Sequence, residues 1–223
     1  MKRPNPMRLL LFFCLTSLIN SGYAEYGLHF DDSGQIIKPD QYHLAKGLKD
    51  DKDGFRDSAL KHFTQAAEFG NQYAMSLIAL YHMQDKDYVT ALAWFKLLDL
   101  KQIPNSDFLK AIMSNLIKIS QPEEIKAAEK LKTQLSETYG HYPTLLRREA
   151  WKNSLKFTGT HIKGYIPPFL TIQLNSDMTV TGHEVRRQVD NFVYDYDFSF
   201  GQGHVTLDDI EIIDSEENQK KPD

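Results

Sequence analysis

The sequence predicts a mainly helical protein, an α-α superhelix of stacked helical hairpins closed by a small C-terminal α+β module. Three observations carry this. Residues 57–100 (DSALKHFTQAAEFGNQYAMSLIALYHMQDKDYVTALAWFKLLDL) read as helix, turn, helix, turn, helix, each helix with its apolar residues on one face. Ala59 and Phe63 recur as Ala91 and Phe95, each pair four apart and the two pairs 32 apart, the spacing of a repeated helical hairpin. From Phe157 onward the composition shifts to glycines, paired prolines and alternating β-branched residues.

The chain is 223 residues long, room for one or two domains. Residues 1–24 read as a secretory signal. Lys2, Arg3 and Arg8 make a basic start, and 9–19 is an apolar run too short for the about 20 residues a bilayer span needs. Gly22 and Ala24 supply the small residues of a cleavage site, so Glu25 is expected to begin the mature protein. The one cysteine, Cys14, lies inside this leader. The residues before it, Leu11, Phe12 and Phe13, fit a lipoprotein signal poorly. The mature chain then offers no disulfide, thiol nucleophile or cysteine-ligated metal, and a core of this size holds without covalent staples. Removing the three basic residues of the leader takes the formal net charge from −4 to −7. An acidic exported chain without a basic block argues against nucleic-acid partners. No later segment reaches membrane length, and a periplasmic location is expected, with secretion as the alternative.

Residues 25–39 read as an irregular lead-in, and 40–156 as the helical-repeat domain. A first helix from Asp40 is expected to turn Tyr42, Ala45 and Leu48 to one side. It ends in Asp50, Asp51 and Asp53 before Gly54, too early a glycine for a calcium loop, so these acids are assigned to a solvated turn. The next helix carries Ala59, Leu60, Phe63, Ala66 and Ala67 as one stripe. Gly70 stops it, and Asn71 caps a helix with Ala74, Leu77, Ile78 and Tyr81 inward. A third helix from Tyr88 places Ala91, Leu92, Phe95 and Leu98 together, and alanines at such positions let helix axes approach closely.

The series Ala59, Phe63, Ala66, Ala67, Gly70, Ala74, Leu77 and Tyr81 resembles a Sel-one-like repeat, the short relative of the tetratricopeptide repeat. Ala91, Trp94 and Phe95 resemble the opening of a second copy. The likeness covers 57–100. It departs where Gln84-Asp85-Lys86-Asp87 replaces the glycine-rich turn, and where Leu98, Asp99 and Gln102 replace Ala, Ala and Gly. The resemblance implies a role in binding a protein or peptide. By analogy of fold it makes the polar positions of the first repeat helix, Lys61, His62, Gln65 and Glu68, the candidate partner contacts. Trp94 is expected to pack in the core.

Ser106 is expected to cap a helix over 107–119 whose wide apolar stripe predicts burial on two sides. Ser120 and Pro122 are expected to open the next helix, which runs to Tyr139 with Ile125, Ala128, Leu131 and Leu135 inward. A helix opened by Pro143 follows, packing through Leu145, Leu146, Ala150, Trp151 and Leu155, with Arg147 and Arg148 in solvent. Residues 157–214 form the α+β module: strands at 169–174 and 178–181, a short helix opened by the capping box Thr181 to Glu184, a half-buried strand in which Tyr194, Tyr196, Phe198 and Phe200 alternate with polar residues, and a last strand at 204–214 with a bulge at Asp208-Asp209. Residues 215–223 are expected to be a disordered tail.

No catalytic, cofactor or metal constellation stands out. The eight histidines (His29, His43, His62, His82, His141, His161, His183 and His204) show no metal-ligand spacing, and there is no phosphate loop or nucleophile elbow. Asp195 with Asp197, and Asp208 with Glu211, are carboxylate pairs that could do acid–base work if their pKa values were pushed apart. The expectation is a non-enzymatic adaptor that captures a protein or peptide partner. The alternative is a carbohydrate or cell-wall-binding module, hydrolytic if its acids are active, that uses the C-terminal aromatic row. A structural subunit without a separate ligand is the third reading.

Overall fold

A computed structural model describes residues 27–103, 106–157 and 160–200, with side chains as far as Tyr196. The protein is mainly helical. Helices α1 (Pro39–Lys52), α2 (Arg56–Glu68), α3 (Gln72–Gln84) and α4 (Tyr88–Leu97) precede a short 3-10 turn (Leu100–Gln102). Then come α5 (Asp107–Ile119), α6 (Pro122–Tyr139) and α7 (His141–Ser154), strands β1 (Thr171–Gln173) and β2 (Thr179–Thr181), and α8 (Gly182–Phe200).

The larger core grows from the repeated stripe. Ala59, Phe63, Ala66 and Ala67 of α2 and Ala91, Trp94 and Phe95 of α4 are all buried, as are Ala74, Ile78 and Tyr81 of α3; Leu77 packs against this core. Asn71 caps α3 by accepting the Ala74 N–H at 2.9 Å, and Gly70 turns the chain at φ +80°. Arg56 closes the α2–α3 hairpin at its open end. It pairs with Asp85 at 2.8 Å, donates to the Tyr81 carbonyl at 3.1 Å and lies over the Tyr81 ring. Tyr81 donates its hydroxyl to Asp51, and burial together with that acid pushes the phenol up to about 12. Helices α3 and α4 are enclosed. α3 packs on α2 and α4, and α4 packs on α3, α5 and α6. Trp94 meets the Tyr139 ring of α6 at 4.7 Å, and Lys96 pairs with Glu129.

Several expectations need correction. In α1 the inward residues are Leu44 and Gly47, while Ala45 and Leu48 face solvent. The cause is Phe63, whose ring lies where a Gly47 Cβ would be, 2.6 Å away. α5 is not buried on two sides. Only Leu109 and Leu116 are buried, and Phe108 and Ile119 are 67% and 70% exposed, because α6 takes the main contact with α4. Ser120 ends α5 by bonding back to the Leu116 carbonyl, and α6 is capped by Gln121 in a reciprocal box with Glu124. In α7, which starts at His141 rather than Pro143, Leu146 and Ala150 are exposed, while Thr144 and Arg148 are buried.

The second core differs most from expectation. β1 and β2 form an antiparallel hairpin with Ile172 opposite Val180, both buried, and threonines outward. The strand expected through 194–200 is helix. Val185, Val189, Phe192, Val193 and Tyr196 make one buried stripe at helical spacing, so α8 continues to Phe200. The capping box is half made. Thr181 accepts the Glu184 N–H at 3.3 Å, but the Glu184 carboxylate turns to Arg187 and Gln188. The lead-in is drawn into this core. Leu28 and Ile36 are buried with Leu155, Phe157, Ile166 and Val189, and the Ile36 N–H donates to Gln188 at 2.6 Å. The strand and bulge expected over 204–214, and the tail at 215–223, lie outside the described residues.

Candidate interaction surface

The four candidate contact residues lie on α2 but do not form one open face. Lys61 points into solvent. His62 turns toward α1: its ring stacks on His43 with centroids 5.8 Å apart, its Nε2 stands 3.8 Å from Asp50, and its Nδ1 meets Gln65 at 3.0 Å. Glu68, at the far end, is tied to α7 by Arg147, which approaches its carboxylate at 3.6 Å and donates to its carbonyl at 3.2 Å. The open polar edge of α2 is therefore Lys61 with the half-exposed His62 and Gln65. Helix α4, which repeats the 59/63 spacing at Ala91 and Phe95, offers no such edge, since its residues 91–95 are buried without a break.

Beside this edge runs a ladder of rings. His29 stacks on Tyr42 at 5.4 Å, Tyr42 meets His43 edge-on, His43 stacks on His62, and Lys46 lies 4.5 Å above Tyr42. Burial lowers the His43 pKa, and the neighbouring His62 and Lys46 add to the effect against Asp40. His43 is thereby favoured as a neutral ring rather than a cation.

Arg148 is the residue that pattern reading missed. It is 8% exposed, and among the described residues its hydrogen bonds go to backbone carbonyls, with the Asp40 carboxylate near enough to favour its charge. Nε and Nη2 donate to the Phe69 carbonyl at 2.8 and 2.5 Å, and Nη1 donates to the Phe192 carbonyl at 2.6 Å. The Phe192 and Tyr196 rings flank its guanidinium at 4.2 and 4.0 Å. The cation sits at the negative end of the α2 dipole and joins α2, α7 and α8. A usable signal was its spacing from Trp151 and Leu155, which puts it on the packing face of α7. Arg186 is likewise engaged, donating to the Ile166 carbonyl at 2.8 Å, whereas Arg187 is an exposed partner of Glu184.

Among the described residues, the aromatics and acids expected on one strand lie apart on α8. The aromatic row expected on a strand is broken up by the helix: Tyr196 is buried, and Tyr194 lies outside it beside Lys152. Asp195 is exposed on the same helix; the side chains of 197–200, and the pair Asp208 and Glu211, lie outside the described residues. Among the described residues, no three His, Cys, Asp or Glu side chains gather as a metal site. A shallow hollow of about 380 Å³ on α8 is lined by Thr181, His183, Glu184, Arg186, Arg187 and Asp190. Its Asp190 is neutralised by Lys152 at 2.6 Å. No helix among the described residues is long and apolar enough to cross a membrane.

No protein-family model, curated protein or solved structure matches the chain.

Proposed function

We propose that the protein is an exported, non-enzymatic adaptor of a bacterial cell envelope, built on a Sel-one-like helical hairpin, that captures a protein or peptide partner in the periplasm. The observation that supports this is the burial of Ala59 with Phe63 and of Ala91 with Phe95 in one core, two pairs of the same spacing 32 residues apart in sequence. That packing leaves the polar edge of α2 outward. Lys61, His62 and Gln65 supply a cation and adaptable hydrogen bonds, and the covered face of α4 confines the contact to this one short edge. Such an edge suits a short segment of a partner better than a long groove would. The alternative carbohydrate-binding reading used the C-terminal aromatics and acids; α8 separates Tyr194 from the buried Tyr196, and Asp208 and Glu211 lie outside the described residues.

Site-specific photo-crosslinking in cells tests the proposal. A photoreactive residue at position 61 is expected to give one discrete adduct with a protein. The same residue at Asn115 on α5 is expected to give none. Adducts with glycan, or equal labelling from both positions, would refute the adaptor reading.

A further inference from the structure

Between α7 and β1 the chain makes two consecutive tight turns. The Tyr165 N–H donates to the Ile162 carbonyl at 3.4 Å, and the Leu170 N–H donates to the Pro167 carbonyl at 3.1 Å. Ile166, between them, is buried in the second core. Both turns are pinned to the body. Gly164, at φ +73°, lies so close to α7 that a Cβ would sit 2.9 Å from the Asn153 Cα, and its N–H donates to the Leu155 carbonyl. Gly182 N–H bonds the Leu170 carbonyl at 2.6 Å. What these anchored turns hold outward is apolar: Ile162 is 66% exposed, Tyr165 43% and Phe169 96%. A nearly fully exposed phenylalanine on an anchored turn is a protrusion, and it leaves apolar surface in water that a partner would cover.

Asp190, which shares a hollow with Gly164, Tyr165 and Arg186, is paired with Lys152 at 2.6 Å, and the chain segment that carries the turns is itself basic. No acidic residue occurs between Glu149 and Asp177, a stretch that holds Lys152, Lys156 and Lys163 in a chain whose net charge is −4. Lys156 and Lys163 are exposed. Arg186 lies 5.7 Å from the Tyr165 ring.

We propose that the turns at 162–165 and 167–170 seat the protein on an anionic phospholipid surface, with Phe169 and Ile162 entering the interface, Tyr165 at headgroup level and Lys156 and Lys163 against the lipid phosphates. A lipid surface fits better than a protein partner. A protruding apolar tip needs a receiving surface that yields, and the interfacial zone accepts aromatics while its charge attracts lysines. Attachment of this kind is peripheral and needs no membrane-spanning helix. It is independent of the adaptor role, which uses α2.

Flotation of the chain from Glu25 onward with vesicles tests this. Mixed phosphatidylglycerol and phosphatidylcholine vesicles are expected to carry the protein, and phosphatidylcholine vesicles to carry far less. Phe169→Ser should weaken binding about tenfold or more, the effect of one lost apolar side chain. Lys156→Gln and Lys163→Gln should each weaken it about fivefold, and added salt should weaken it further. These side chains are exposed, so circular dichroism should show the variants folded. A Phe169→Trp variant reports insertion directly: its added fluorescence should shift to the blue on the anionic vesicles. Equal flotation on both vesicle types, unchanged binding of Phe169→Ser, or no blue shift each overturns the proposal. So does a soluble protein that covers the turns while the anionic vesicles do not bind.

Discussion

Arg148 of α7 holds the carbonyl of Phe69, the residue that caps the C-terminus of α2, through Nε at 2.8 Å and Nη2 at 2.5 Å. This fork and the bond to the Phe192 carbonyl fasten the helical hairpins to α8. The cation contributes through hydrogen bonds, ring contacts and a helix dipole, and burial pulls its pKa below the usual arginine value without discharging it. Arg148→Met should lower unfolding free energy by about 2–4 kcal/mol, because each buried carbonyl left unpaired costs about 1–3 kcal/mol. Arg148→Lys should recover less than half of that, since an ammonium cannot reproduce the fork. Urea midpoints for the three proteins check this, and a methionine variant as stable as the native protein would remove Arg148 from the account.

Gly47 makes a second test, in which two effects oppose each other. Glycine inside a helix is about 1 kcal/mol worse than alanine, so Gly47→Ala should stabilise α1 if only propensity mattered. The added methyl would stand 2.6 Å from the ring of Phe63, which is fully buried. Overpacking of that kind costs about 1–3 kcal/mol, so the net effect should be destabilising. Phe63→Leu in the same chain should relieve part of the loss, and a double-mutant cycle with zero coupling would contradict the packing described.

The histidine ladder gives a pH dependence with a definite sign. The folded-state pKa of His43 lies below its ordinary value of 6.5. Between those two values the unfolded chain binds more protons than the folded one, so stability rises with pH there. The contribution is complete above pH 6.5 and is lost as pH falls through the folded-state value. His43→Gln should flatten this part of the pH profile of the urea midpoint. A variant that keeps the native slope would assign the dependence to another group.

Much of α2 to α4 was legible because the signals are local. The 59/63/66/67 stripe, the Gly70 stop and the Asn71 cap each act within one or two turns of helix. Three failures share a physical cause. Gly47 faces inward because a distant ring fills its place, which no count of apolar residues reports. Tyr194 to Phe200 alternate perfectly over seven residues, and only the longer window from Val185 shows the helical period. Arg148 is buried by backbone carbonyls at Phe69 and Phe192, partners that leave no mark in a sequence. Of the candidate contacts on α2, the analogy could not see that α1 and α7 reach His62 and Glu68 and leave Lys61 and Gln65 as the freer part of the edge.

The central claim, capture of a partner through the polar edge of α2, is tested most directly by the affinity of the cross-linked partner for the native chain and for a Lys61→Glu, Gln65→Ala double variant. Loss of a contact at the centre of a small interface predicts at least about tenfold weaker binding, with an unchanged urea midpoint. Equal affinities for the two proteins would place the partner elsewhere on the molecule and contradict the account.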